Sequence, residues 1–341
     1  MTSADPFLAA LQRVVAGERL SAAEARLAFE AVMDGRVSPP RLAAFLVALR
    51  MRGETVEELA AFARTMRSRA LPVRTRHPEV LDTCGTGGDG AGTFNVSTVA
   101  ALVVAAAGVP VAKHGNRAVS GRCGSADLLE GLGVRADLAP EEAAACLDDL
   151  GFGFLFAPRL HPSMGHAAAV RRELGVRTVF NLLGPLANPA GARRQLLGVY
   201  DPSWVGPLAR VLLDLGATRA LVVHGAGTDE IALHGETVAA EVVDGQVVER
   251  RIVPEEAGLK RAPIEAIAGG TIEAQVEAAR RVLEGAPGPH RDIVVLNAGA
   301  ALLVAGRADN IEAGARLAAE TIDRGLAAAL VGKLRQRTPR T

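Results

Sequence analysis

Residues 80–98 read Val80-Leu81-Asp82-Thr83-Cys84-Gly85-Thr86-Gly87-Gly88-Asp89-Gly90-Ala91-Gly92-Thr93-Phe94-Asn95-Val96-Ser97-Thr98. An apolar β-type start, a cluster of glycines and a helix whose first turn falls near Ser97 and Thr98 make a strand, a turn and a helix in succession. Glycine lets backbone N–H groups approach an oxyanion, and the helix N-terminus adds unpaired donors and the positive end of its dipole. The segment reads as a phosphate cradle. A nucleotide P-loop needs Gly-Lys-Ser/Thr at a fixed distance from its first glycine, and none is present. The dinucleotide spacing G-x-G-x-x-G does occur at Gly85, Gly87 and Gly90. Its acidic ribose ligand should close the next strand about 20 residues on, yet that strand is expected to end in Lys113. Asp89 would repel a bare pyrophosphate and makes sense beside a divalent cation or a ribose hydroxyl. A glycine turn without a ligand is the plainer alternative.

Moving outward, the second strand delivers Lys113-His114-Gly115-Asn116-Arg117-Ala118-Val119-Ser120-Gly121-Arg122-Cys123-Gly124-Ser125, then a helix from Ala126 through Leu132. Two successive strand tips thus carry polar, glycine-rich loops at the C-terminal edge of a sheet, where open α/β folds bind ligands. The chain has only three lysines, Lys113, Lys260 and Lys333, against a large excess of arginine. Lys113 in that background suggests a compact ammonium serving as a point-charge phosphate partner, with a solvated loop lysine as the bland alternative. Asp229-Glu230 follows a strand at Ala220–Val223 and the turn His224-Gly225-Ala226-Gly227-Thr228; paired carboxylates there suit Mg²⁺, which takes one or two carboxylates plus phosphates and waters. Arg171-Arg172 offers a guanidinium able to hold a carboxylate bidentately, the other arginine pairing with Glu173 or solvent. His161, His166 and His224 lack zinc spacing and read as capping or polar-contact residues. Cys84, Cys123 and Cys146 form no CxxC and are odd in number, which suits a reducing cytoplasm and ordinary thiols.

The flanks supply the rest. Before residue 70 the chain reads as four helices: one near Pro6–Ala16, one opened by the capping box Ser21-x-x-Glu24 and closed at Gly35, one from Ser38-Pro39 to Gly53, one opened by Thr55-x-x-Glu58. From Val80 strands and helices alternate, with strands expected at Val80–Asp82, Val109–Ala112, Ala220–Val223 and Ile293–Leu296. Thr237–Val253, turning at Asp244-Gly245, reads as a hairpin at a sheet edge. His161–Pro189 is helical again, broken at Gly184-Pro185 and Asn188-Pro189, and returns the chain to the N-terminal bundle. The expected division is 1–75 plus about 163–188 for a small helical domain and 76–162 plus 189–341 for a large α/β domain. At 341 residues, 49% apolar and 22% charged, two domains of ordinary core size fit. Lys+Arg and Asp+Glu are 38 each and aromatics 3%, so neither a nucleic-acid footprint nor a base-stacking platform is present. Asp5 stands where a signal peptide needs basic residues, and Val99–Ala112, the longest apolar stretch, is too short to span a bilayer; no membrane association and a cytoplasmic location are the expectation.

Taken together, Gly85-Thr-Gly-Gly-Asp89, Asn95-Val-Ser-Thr98, Lys113-His-Gly-Asn-Arg117, Gly124-Ser-Ala-Asp127, Val170-Arg-Arg-Glu-Leu-Gly-Val-Arg177, Phe180-Asn-Leu-Leu-Gly-Pro-Leu-Ala-Asn-Pro189 and Asp229-Glu230 resemble the anthranilate phosphoribosyltransferases. The joint match, in order from about residue 80 to 230, is specific where no single piece is. The resemblance implies transfer of the 5-phosphoribosyl group from phosphoribosyl pyrophosphate (PRPP) to the amine of anthranilate, the second step of tryptophan synthesis. It implies a homodimer joined through the helical domains. It also implies PRPP contacts from Gly85, Gly88, Asp89, Thr93, Asn95, Val96, Ser97 and Thr98, completed by Lys113, His114, Gly115, Asn116, Arg117, Ala118, Val119, Ser120, Gly121 and Ser125. Two Mg²⁺ ions per monomer would be served by Ser97, Asp229 and Glu230, and anthranilate would meet Asn116, Arg171 and the Gly85 backbone. Lys113, Asp229 and Glu230 are then the catalytic group. Gly121-Arg122-Cys123 departs from the commoner Ser-Lys-Ser and removes a hydroxyl near the phosphates.

Two readings of other classes stay beside this one. A pyrimidine nucleoside phosphorylase of similar fold would take inorganic phosphate and a nucleoside. A non-catalytic nucleic-acid-binding relative would tend to be basic with a degraded glycine loop, unlike this chain. A dinucleotide-dependent oxidoreductase ranks behind both, for want of the acidic ribose ligand.

Overall fold

The computed structural model describes residues 5–118 and 123–339. The N-terminal capping signals form helices as read: α1 (Pro6–Val15), α2 (Ala22–Met33), α3 (Pro39–Arg52) and α4 (Val56–Arg69). Both capping boxes close, Ser21 with Glu24 and Thr55 with Glu58, so the first-turn donors of α2 and α4 are satisfied locally. Phe29 stacks on Phe62 at 4.6 Å in the centre of the bundle.

The α/β part runs β1 (Leu81–Gly85), α5 (Val96–Ala106), β2 (Val111–Gly115), α6 (Ser125–Gly131), α7 (Pro140–Leu150), β3 (Phe152–Phe156), α8 (Ala157–Leu160), α9 (Gly165–Leu174), α10 (Val179–Leu183), β4 (Arg194–Gly198), α11 (Val205–Asp214), β5 (Arg219–Gly225), β6 (Thr237–Val243), β7 (Gln246–Ile252), α12 (Ile272–Leu283), α13 (Pro289–Val304), α14 (Ile311–Asp323) and α15 (Leu326–Arg337). The strands order as β3-β2-β1-β4-β5-β6-β7, with β1 to β5 parallel and β6 and β7 antiparallel. The hairpin lies at the edge, its turn made by Asp244 (φ 51°) and Gly245 (φ 73°), the paired left-handed residues a tight twisted hairpin needs.

One expected strand is a helix. Ile293–Leu296 lies inside α13, a helix that Pro289 opens and whose residues from Ile293 to Val304 are all buried. A helix wrapped by protein on every side shows no apolar stripe, so a short window of it looks like a core strand. The strands β3 and β4 lie outside the sequence expectation, and β2 continues two residues past Lys113. Side chains of α9 and α10, including Ala167, Val170, Val179 and Phe180, share one apolar core with α1 to α4. A second core surrounds α5 and α13 on the opposite face of the sheet. Among the described residues no helix is long and apolar enough to cross a membrane, and all three cysteines are free.

Candidate active site

The parallel register aligns Leu81 with Val111 and Gly85 with Gly198, so β1, β2 and β4 present their C-terminal tips together. The loop after β1 is bound to the acid pair beyond β5. Gly87 N–H donates to Asp229 Oδ2 at 2.8 Å, and Asp229 N–H donates to Asp89 Oδ2 at 3.2 Å. Gly198 is obligatory here, because a Cβ would stand 1.6 Å from the Asp229 carbonyl oxygen, and a Cβ on Gly85 would stand 2.3 Å from Asp229 Oδ2 and push that carboxylate out of place. Gly87, Gly88, Gly90 and Gly92 all hold positive φ. Glu230 accepts the Ser97 N–H at 3.1 Å, in the first turn of α5.

Lys113 is not on a loop. It sits mid-strand, buried, and its Nζ donates to Thr83 O at 2.5 Å and to Ser97 Oγ at 3.3 Å. Burial pulls its ammonium below the ordinary lysine range, opposed by the charge of Asp82 on the neighbouring strand. The acid pair is perturbed the other way. Asp229 and Glu230 keep some exposed surface, but their carboxyl groups lie deep among protein atoms. Burial first and Asp89 second push Asp229 up to about 7, and burial with Asp229 raises Glu230 well above the usual range. Mutually repelling carboxylates at the mouth of a glycine loop are a fitting donor set for a hard divalent cation. Among the described residues no three His, Cys, Asp or Glu side chains form a metal cage.

The remaining predicted residues fall around this centre. Asn95 caps α5, its side chain donating to Cys123 O at 3.2 Å and accepting from Thr98 Oγ1 at 2.6 Å. Thr93 pairs with Ala268, and Phe94 N–H donates to Ile267 O, so a distant segment steadies the end of the glycine loop. Buried Val96 opens α5 and Ser125 opens α6; a Cβ on Gly115 would meet Ser125 Cβ at 3.1 Å. His114 is buried, with Nδ1 3.1 Å from Gly184 O and its ring 5.1 Å from that of His161. Asn116 is exposed and accepts from Arg117 N–H at 2.7 Å. The Arg117 guanidinium is held by Glu130 and Asp127, and the Ala118 and Gly124 N–H groups both donate to Asp127, which closes the base of that loop. The predicted contacts Val119, Ser120 and Gly121, with Arg122, lie outside the described residues. Arg171 stacks on Phe180 at 5.0 Å, and burial lowers its pKa; Arg172 is exposed.

Residues 77–328 match the family described as "Glycosyl transferase family, a/b domain", and residues 8–70 its "helical bundle domain". The anthranilate phosphoribosyltransferase of Symbiobacterium thermophilum is 54% identical over 333 residues, which is 97% of this chain and 98% of that protein. The crystal structure of the Thermus thermophilus enzyme superposes with a TM-score of 0.92 at 51% identity, covering 96% of this chain and 98% of that one. The chain belongs to the anthranilate phosphoribosyltransferase family. A Saccharomyces cerevisiae member of the family, in complex with PRPP and Mg, superposes with a TM-score of 0.90 at 26% identity over 98% of both chains. The family architecture, a helical bundle joined to a mostly parallel seven-stranded α/β domain, is the one described above.

Sequence reading passed over Asp82. Its carboxyl is fully buried and accepts the His114 N–H at 3.1 Å, tying the β1 and β2 tips together. An acid inside an apolar strand was the available signal. Arg177 and Tyr200, beside the glycine loop, were also unassigned.

Proposed function

We infer that the chain transfers the 5-phosphoribosyl group of PRPP to the amine of anthranilate, giving N-(5-phosphoribosyl)anthranilate and pyrophosphate in tryptophan biosynthesis. The observation carrying this is the convergence of a glycine loop, a buried lysine and an acid pair on one sheet edge in a chain of this family. Asp229 and Glu230, with Ser97, would hold two Mg²⁺ ions per monomer, which when bound neutralise the departing pyrophosphate. The loop N–H groups from Gly85 to Thr93 and the α5 N-terminus orient the phosphates, and Lys113 places a positive charge beneath Ser97. As the C1–O bond to pyrophosphate breaks, the ribosyl carbon becomes oxocarbenium-like and the amine nitrogen bonds to it. Its surplus proton passes to the released pyrophosphate or to water, so no strong base is needed. Asn116 and Arg171 would anchor the anthranilate carboxylate, Arg171 gripping it through both edge nitrogens.

The packing of α9 and α10 on the bundle supports assigning residues 1–75 and about 163–188 to one helical domain and 76–162 with 189–341 to the other. Exposed Val15 and Met51 on that bundle support a homodimer formed through it. A cytoplasmic location fits the three free thiols.

The test is a parallel assay: loss of anthranilate fluorescence with PRPP and Mg²⁺ against phosphorolysis of thymidine. Turnover is expected in the first alone, and turnover confined to the second overturns the reading. In Arg171→Ala the KM for anthranilate should rise more than that for PRPP; the reverse order removes Arg171 from the acceptor site.

A further inference from the structure

Arg177 sits in the short link between α9 and α10, just before Thr178 caps α10. Its guanidinium lies over the Tyr200 ring, with Cζ 4.0 Å from the ring centre. The chain has a single tyrosine. That tyrosine is fixed to the glycine loop: its N–H donates to Thr86 Oγ1 at 3.0 Å, and Thr86 N–H donates to Gly198 O at 2.9 Å. The guanidinium also covers Gly88, since a Cβ there would lie 3.3 Å from Nη2 and 3.5 Å from Nε. Stacking occupies the face of a guanidinium and leaves its edge donors free. Arg177 makes no hydrogen bond or ion pair with the described residues. An arginine held over an aromatic ring, with donors unused and its guanidinium beside a glycine of the anion-shaped loop, is suited to meet a planar or tetrahedral oxyanion.

We propose that Arg177 is a substrate-binding residue of this active site, contacting the pyrophosphate group of PRPP from above Gly88 while Tyr200 holds its guanidinium in place. The choice of pyrophosphate over the anthranilate carboxylate follows from position: Gly88 stands between Gly87, which donates to Asp229, and Asp89, which accepts from it. The inference rests on the functional reading above. Because Arg177 reaches the loop from the helical side of the molecule, it also lets the leaving group bridge the two parts of the chain.

The experiment is calorimetric titration of inorganic pyrophosphate, with Mg²⁺ in constant excess, into the wild-type protein and Arg177→Gln, with both KM values measured in parallel. Loss of one charge-assisted contact should weaken pyrophosphate and raise the PRPP KM by about ten- to a hundredfold, leaving the anthranilate KM within about twofold. Arg177→Lys keeps charge and stem without the fork and should recover part of the loss; Tyr200→Ala should weaken the same ligand by a smaller factor. If Arg177→Gln does not fold, Arg177→Met, which also removes the charge while keeping the length of the stem, carries the comparison. Unchanged pyrophosphate affinity in folded Arg177→Gln, or an effect confined to anthranilate, overturns the assignment and leaves the functional reading standing. A wild-type protein that binds neither pyrophosphate nor PRPP overturns both.

Discussion

Two buried acidic sites in this protein are built on opposite terms. In the helical bundle, the Glu58 carboxylate is fully enclosed and fully answered: it accepts N–H groups from Leu20 at 2.8 Å and Thr55 at 2.9 Å and pairs with the Arg52 guanidinium. At the sheet edge, Asp229 and Glu230 each accept a backbone N–H from the glycine loop or α5 and repel one another, with Asp89 adding a third negative charge. Glu58 is complete inside the fold and marks a structural joint between the α1–α2 turn, α3 and α4. The acid pair is left short of positive charge, and that shortfall is what a divalent cation with its phosphates supplies. Burial alone does not mark a functional carboxylate; an unmet demand for positive charge does.

The contrast can be broken by substitution. Glu58→Ala strands the Arg52 charge and two donors, so denaturant unfolding should show a loss of about 3–5 kcal/mol, while kcat per folded molecule stays near wild type. A small stability change would remove Glu58 from its role as a joint. Asp229→Asn combined with Glu230→Gln should behave inversely. Turnover at moderate Mg²⁺ should fall about a hundredfold or more, while the unfolding midpoint in metal-free buffer holds or rises because a buried repulsion is relieved. A wild-type rate in that double variant removes the metal role, and a lowered midpoint would place these acids with Glu58 as structural.

A smaller effect tests the polar groups beneath the sheet edge. His114 and His161 are buried with Nε2 unpartnered, and burial lowers them from the usual 6.5 to about 3 and about 4. Between those limits the unfolded chain binds more protons than the folded one, so stability rises with pH there. It should be complete above pH 6.5 and be lost as the pH falls from there, the His161 share by about pH 4 and the His114 share by about pH 3. His161→Gln should flatten the slope between pH 6.5 and 4 in denaturant midpoints. Parallel curves for the two proteins would show that His161 is not kept neutral by the fold.

Much of the molecule was legible without coordinates because its signals are local. The capping boxes at Ser21 and Thr55, the Asp244-Gly245 hairpin and the glycine loop each depend on backbone geometry within a few residues, which short-range chemistry controls. The helix α13 was not legible, since full burial erases the periodicity that separates helix from strand. The sequence places Lys113 at the close of its strand, whereas the fold seals it within the sheet.

Residue order was enough to establish the two-part α/β organisation and the grouping of phosphate-type loops with an acid pair, since turn chemistry and charge are properties of neighbours along the chain. The long-range arrangement had to come from folding: Asp229 reaching Gly87 across the sheet, Lys113 buried under Ser97, and Arg177 laid over Gly88 on the ring of Tyr200. Those contacts join residues from 16 to 142 positions apart, and their energies depend on distance and burial, which exist only once the strands have registered and the core has closed.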